Sequence, residues 1–146
     1  YLLDQMGRKD QAASVCETAI RLAPKSAQAH YGYGAFLEKN GQPDEAIAKY
    51  RQTLQLDSAH VDAHIDLGGL LLGKGELTEA QKNFEKASEL NPKLAQPHNY
   101  LGKVLMSQGH VSQAIVQFEE ALRLHPDFPE AEENLRVAKA TSAQTP

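Results

Sequence analysis

The sequence predicts an all-α fold, a solenoid of antiparallel helix pairs. The prediction rests on three sets of residues that recur with one common period, and each such set, with one residue per period, forms a column. Glycines recur every 34 residues, and alanines and bulky side chains recur at the same step. The glycines are Gly7, Gly41, Gly75 and Gly109, the alanines Ala12, Ala46, Ala80 and Ala114, and the bulky residues Cys16, Tyr50, Phe84 and Phe118. A fixed period of this length is typical of stacked supersecondary units.

Each period has the pattern of two helices, as residues 61–94 illustrate. Apolar and small residues at steps of three and four form one face of a first helix. Gly75 ends that helix, because glycine adopts the left-handed cap conformation without steric cost. Ala80 and Phe84 then line the buried face of a second helix, and Pro92 closes the unit because proline cannot continue a helix.

The pattern resembles the tetratricopeptide repeat (TPR). Residues 61–94 carry it as His64, Leu67, Gly68, Leu71, Ala80, Phe84, Ala87 and Pro92, and residues 95–128 as His98, Leu101, Gly102, Leu105, Ala114, Phe118, Ala121 and Pro126. Residues 27–60 depart from it, with Tyr33, Thr53 and Ser58 in place of the usual Leu, Ala and Pro. The resemblance implies a right-handed superhelical solenoid whose concave face is lined by the first helix of each repeat.

The repeat register divides the chain into consecutive segments. They are the C-terminal part of a truncated repeat (1–26), three complete repeats (27–60, 61–94 and 95–128), a terminal capping helix (129–141) and a frayed tail (142–146). The chain begins within a repeat, so we expect it to be part of a longer protein. The uncapped front end, with Leu2, Leu3, Met6 and Val15, predicts self-association through that end.

Composition excludes several classes of function. The net charge of -4 argues against a nucleic-acid partner, because sequence-independent binding relies on clustered Lys and Arg. No apolar run is long enough to insert directly into a membrane. A single cysteine, Cys16, permits no internal disulfide and favours a reducing compartment such as the cytoplasm, although periplasmic repeat proteins also lack cysteine pairs.

The histidines are the most conspicuous chemical groups. His30, His64 and His98 share one column, and equivalent residues on stacked helices lie about 10 Å apart, which is too far for one metal ion. We interpret them as packing residues. His60 and His64 leave a weak metal site as an alternative, which would make the chain a metal-binding domain. No nucleophile–base spacing is present, so we predict no enzyme activity and no cofactor.

The resemblance also implies a peptide-binding groove on the first helices. Carried onto this chain, its lining comprises Tyr31, Glu38, Asp62, Ile65, Asp66, Leu72, Asn99, Tyr100, Lys103, Met106 and Glu133. Acidic residues outnumber basic ones in this set, and several members are apolar or aromatic. We therefore predict a protein or peptide partner, bound as a peptide or helix, that carries basic and apolar residues.

The sequence is also compatible with two functions other than that of a protein–protein interaction scaffold. The chain could be a substrate-recognition or regulatory segment of a larger enzyme, for example a sugar-transferring one. It could also be a self-assembling scaffold, whose repeats bind further copies of the same chain.

Overall fold

A computed structural model describes the backbone of residues 2–144 and the side chains of residues 11–144. Over the described backbone the chain is helical and has no strand. The helices are α1 (Leu2–Leu22), α2 (Ala27–Lys39), α3 (Pro43–Leu56), α4 (Val61–Gly73), α5 (Leu77–Leu90), α6 (Ala95–Ser107), α7 (Val111–Leu124) and α8 (Pro129–Gln144). The predicted all-α fold of consecutive helix pairs is confirmed.

Each helix pair is closed by an aromatic ring of its second helix lying against a glycine of its first helix. The pairs are Gly34 with Tyr50, Gly68 with Phe84, and Gly102 with Phe118. The three rings are at most 1% exposed. The alanines of the second column, Ala46, Ala80 and Ala114, are fully buried as well. The periodic columns therefore mark the places where two helices approach closely, and close packing leaves no room there for a larger residue.

The turns between paired helices use the other glycine column. Gly41, Gly75 and Gly109 have φ angles of 76°, 78° and 80°. In each turn the glycine N–H and the next N–H donate to carbonyls of the preceding helix, as in Gly75 to Leu72 at 3.0 Å and Glu76 to Leu71 at 2.9 Å. This is a Schellman motif, in which a glycine with positive φ satisfies the last carbonyls of a helix.

The chain divides into two compact units, residues 1–63 and 64–146, and the division falls inside α4. In the first unit α2 packs against both α1 and α3. In the second unit α5 packs on α6, α6 on α7 and α7 on α8, and α6 also contacts α8. The core of this last group comprises Leu105, Ala114, Phe118 and Ala138.

The first repeat differs from the periodic prediction. Helix α1 runs through Gly7 without a turn, and Cys16 is only half-buried although it shares a column with Tyr50 and Phe84. Val15 is 68% exposed. The side chains of Leu2, Leu3 and Met6, which the sequence prediction of self-association also named, lie outside the described residues.

The C-terminal helix is longer than predicted. Helix α8 continues to Gln144, beyond the expected end at residue 141. The Thr141 hydroxyl donates to the Val137 carbonyl at 3.0 Å, and no glycine or proline interrupts the segment before Pro146. The helix includes residues 142–144, which the sequence assigned to a frayed tail, because nothing between residues 141 and 144 stops it.

Candidate functional site

Two predicted groove residues of the first unit, Tyr31 and Glu38, are held by the same core side chain. Tyr50 is fully buried, and its hydroxyl donates to the Glu38 carboxylate at 2.6 Å. The ring of Tyr31 lies 5.7 Å from that of Tyr50 and 4.6 Å from that of His60, measured between centroids. Helix α2 thus presents a half-buried aromatic ring and an exposed carboxylate in fixed positions. Asp62 is exposed in the first turn of α4, where a carboxylate stabilises the helix dipole.

Ile65 and Asn99 do not lie on the surface, where the sequence interpretation placed them. Their side chains are 5% and 1% exposed. Both occupy the repeat position of Tyr31. At Asn99 this position faces helix α8, where Asn134 Nδ2 donates to Asn99 Oδ1 at 2.9 Å. A side chain of moderate length at this position is therefore covered, whereas the longer Tyr31 keeps part of its ring exposed.

The second unit brings Tyr100 and Lys103 together in an ordered array with Glu130, which the predicted set did not include. The Tyr100 ring stacks on the buried Phe84 ring, with centroids 4.8 Å apart and planes within 7°. Lys103 Nζ lies 5.2 Å from the Tyr100 centroid, within cation–π range, and 2.9 Å from Glu130 Oε1. Tyr100 is thereby held between a core ring and a charged pair, with part of its ring exposed.

Glu133 is paired with an arginine of its own helix. Arg136 donates two hydrogen bonds to its carboxylate, at 2.8 and 2.6 Å. The hydrogen bonds, and to a smaller extent the positive charge of Arg136, hold the pKa of Glu133 below its usual value. The same two interactions raise the pKa of Arg136. The Glu133 charge is therefore largely balanced where it stands.

Asp66, Leu72 and Met106 are half-buried. Met106 packs against the core cluster of α6, α7 and α8 while keeping part of its side chain exposed. A methionine placed in this way offers a soft apolar surface that adapts to a contact.

The sequence reasoning missed a cleft of about 470 Å³ next to Tyr100. It lies where the start of α6 meets the connection between α7 and α8, and we call it the Phe128 cleft. Its lining residues are Lys93, Leu94, Ala95, Gln96, Tyr100, Leu124, His125, Phe128 and Glu130. Leu94 and Phe128 stand 34 residues apart, just before α6 and α8, but their shared spacing does not by itself predict a cleft.

A second, shallower cleft of about 300 Å³ lies between α5 and α7. It is lined by Gln81, Glu85, Leu105, Gln113, Val116 and Gln117. Three glutamines and a glutamate make up most of its walls, so it offers less apolar surface than the Phe128 cleft.

The three histidines of the shared column make hydrogen bonds, two of them within a helix pair. His64 Nδ1 lies 2.9 Å from Asn83 Oδ1, and His98 Nδ1 lies 2.9 Å from Gln117 Oε1, each 19 residues further along the chain. The matching residue for His30 is Lys49, which has no acceptor atom. His30 accordingly bonds through Nε2 to the Pro24 carbonyl at 3.0 Å.

His60 is engaged as well, since its Nδ1 accepts from the Ala63 N–H at 3.2 Å at the start of α4. Among the described residues, no group of three or more His, Cys, Asp or Glu side chains is arranged to hold a metal ion. None of the helices over the same part of the chain combines the length and apolarity that a membrane crossing needs.

Comparison with known proteins identifies the family. The model of the middle TPR-like domain of cilia and flagella-associated protein 70 matches residues 3–99, and a tetratricopeptide-repeat model matches residues 71–138. No curated protein matches the sequence.

Solved structures share the fold. MamA is 23% identical, with a TM-score of 0.87 over 96% of this chain and 82% of MamA. YrrB, reported as a TPR protein with an unusual peptide-binding site, is 23% identical, with a TM-score of 0.81 over 99% of this chain and 74% of its own. The first TPR of Spaghetti, bound to an HSP90 peptide, is 21% identical, with a TM-score of 0.78 over 81% of this chain and 94% of its own. With family models matching most of the sequence and with its ring-on-glycine helix pairs, the chain belongs to the tetratricopeptide-repeat family.

Proposed function

We propose that the chain is a non-catalytic protein-interaction module that binds a peptide or helix of a partner protein through the exposed side chains of its first helices. The observation that carries this proposal is the Tyr100 array. The ring is not needed to close a helix pair, because Phe84 and Phe118 already lie on the pair glycines. It is nevertheless held in one orientation and left partly exposed.

Such a ring suits an interface, because rigid aromatic side chains contribute strongly to binding and lose little conformational freedom. Family membership supports the proposal in general terms, and two structures of the same fold concern peptide binding, namely YrrB and Spaghetti with its HSP90 peptide. The exposed carboxylates of Glu38 and Asp62 favour basic residues in the part of a partner that meets the first unit.

Selection of short peptides from a displayed random library on the immobilised chain tests the proposal. We expect enriched peptides whose affinity falls about tenfold or more in Tyr100→Ala, since truncation of an anchoring aromatic residue typically has an effect of this size. Lys82→Ala is the matched control, because Lys82 is exposed on α5 in the same unit. Circular dichroism verifies that both variants remain folded.

Two outcomes would reject the proposal. Failure to enrich any peptide sequence would reject peptide binding itself. Enriched peptides that bind Tyr100→Ala as tightly as the unchanged chain would reject the assignment of the binding surface to the first helices of the second unit.

A further inference from the structure

The Phe128 cleft has apolar walls that the helix-pair packing does not fill. Leu94, Leu124 and Phe128 are half-buried and line it together with the Tyr100 ring. Two of its aromatic walls make ring contacts: Tyr100 stacks on Phe84, which lies outside the lining, and the His125 ring, also part of the lining, meets Phe128 edge-on with centroids 5.9 Å apart. The volume of about 470 Å³ falls in the range of small-molecule binding clefts, about 300–1,000 Å³, so a single large side chain can enter it.

The rim of the cleft carries one uncompensated charge. Glu130 is neutralised by Lys103, 2.9 Å away. Lys93 is exposed, and its ammonium group makes no ion pair with the described residues. The rim of the cleft therefore favours a negatively charged group of a ligand. Glu38 and Asp62 in the first unit favour a positively charged one.

The cleft is continuous with the proposed binding surface, because Tyr100 and Glu130 line the cleft and also take part in the Tyr100 array. A peptide lying along the first helices would pass the mouth of the cleft. This continuity favours a peptide side chain over a separate small molecule as the occupant.

We propose that the Phe128 cleft takes a bulky apolar side chain, aromatic or leucine-like, from a partner peptide that carries Asp or Glu beside it to face Lys93. This inference rests on the proposed peptide-binding function and specifies the motif that such a peptide presents at this end of the chain.

The test repeats the peptide selection on the 146-residue chain, on Lys93→Glu and on Lys82→Glu as the matched charge reversal on α5. We expect the unchanged chain and Lys82→Glu to enrich peptides with a bulky apolar residue next to Asp or Glu. We expect Lys93→Glu to enrich Lys or Arg in place of the acidic residue, since reversing one rim charge reverses electrostatic complementarity.

A double-mutant cycle then locates the apolar side chain without relying on the folding of a single variant. Replacing that residue of the best peptide by Ala should weaken binding to the unchanged chain about tenfold, measured by fluorescence polarisation. Phe128→Ala should weaken binding of the original peptide similarly and have little further effect on the Ala peptide, because both changes remove the same contact.

The outcomes separate this inference from the proposed function. Enriched peptides that lose affinity in Tyr100→Ala, yet show no apolar–acidic motif and bind Lys93→Glu and Phe128→Ala normally, overturn the cleft assignment alone. The absence of any enriched peptide overturns both. A dimer in sedimentation that Phe128→Ala converts to monomer, with no peptide able to compete, would mean that a second copy fills the cleft and would overturn the peptide motif.

Discussion

Gly68 and Gly69 are adjacent in α4, but their surroundings are opposite. A Cβ at Gly68 would lie 2.7 Å from Cε1 of the buried Phe84 ring, whereas a Cβ at Gly69 meets nothing within 4 Å. We expect Gly68→Ala to lower the free energy of unfolding by about 1–3 kcal/mol through overpacking. Gly69→Ala should raise it by roughly 0.5–1 kcal/mol, because alanine loses less backbone entropy in a helix.

Urea denaturation followed by circular dichroism measures both changes, and the two variants control for each other. Equal destabilisation by both would show that helix α4 resists any substitution here and would contradict the specific role of the contact between ring and glycine.

Asn83 shows how a residue outside the periodic columns can be essential to the packing. It is 8% exposed; its Nδ2 donates to the Glu79 carbonyl and its Oδ1 accepts from Nδ1 of His64, both at 2.9 Å. Asn83→Leu removes both bonds from a buried site, so we expect a loss of about 1–3 kcal/mol in unfolding free energy.

Gln117→Leu is the matched comparison for Asn83→Leu in thermal unfolding. Gln117 makes the equivalent bond to His98 but is only half-buried, so water can replace the lost partner. We expect a clearly smaller loss there. A larger loss at Gln117 than at Asn83 would refute the burial argument.

At the scale of the helix pair, the turn positions require glycine because of their backbone conformation and not because space for a side chain is lacking. Gly75 has a φ of 78°, and a Cβ there would meet nothing within 4 Å. Gly75→Ala should therefore cost about 1 kcal/mol of stability through conformational strain alone. Gly73, at the end of α4, lies in equally open space without a positive φ.

Gly73→Ala serves as the control for this turn, and we expect it to be neutral or slightly stabilising in the same urea denaturation experiment. If Gly75→Ala proved as well tolerated as Gly73→Ala, the left-handed conformation of the turn could not be what requires glycine.

The sequence was sufficient to predict these elements wherever a helix had a partner to pack against. The glycines at 41, 75 and 109 adopt the predicted turn conformation, and the rings of Tyr50, Phe84 and Phe118 are buried as their column predicts. Gly7 and Cys16 follow the same columns without the same structure. A periodic column records a contact between the two helices of a pair, so the column alone does not fix the structure of a segment.

The candidate site was harder to predict than the elements, for a physical reason. The family resemblance places Ile65 and Asn99 in the lining of the groove, but both side chains are covered. Their burial depends on contacts between helices of neighbouring repeats, such as that of Asn134 with Asn99, and on which side chain each repeat places there. The Phe128 cleft likewise depends on how the connection between α7 and α8 packs beside α6. No periodic pattern encodes that packing.

At the scale of the whole molecule, stability should be uneven along the chain. Helix α1 leaves Leu22 75% and Val15 68% exposed, whereas α5 and α7 bury Phe84 and Phe118 almost completely. Because local opening is easiest where few apolar contacts are lost, we expect amide hydrogens of residues 11–22 to exchange at least about tenfold faster than those of α7.

Native-state hydrogen exchange followed by mass spectrometry measures this difference, with rates normalised to an unstructured peptide of each segment. Uniform protection of α1 and α7 would mean that α1 is stabilised by contacts other than those described. Protection of α7 should fall in Phe118→Leu, since that change shrinks the side chain at the centre of its core.

The ring-on-glycine contact has an evolutionary consequence. Each such contact is completed within one hairpin and recurs after 34 positions. Duplicating or deleting one whole period keeps every ring opposite its glycine, so the array can lengthen or shorten by genetic recombination without a new core having to arise. An insertion of one or two residues between the glycine and the ring of one hairpin has no such freedom, because it puts that ring out of step with its own glycine.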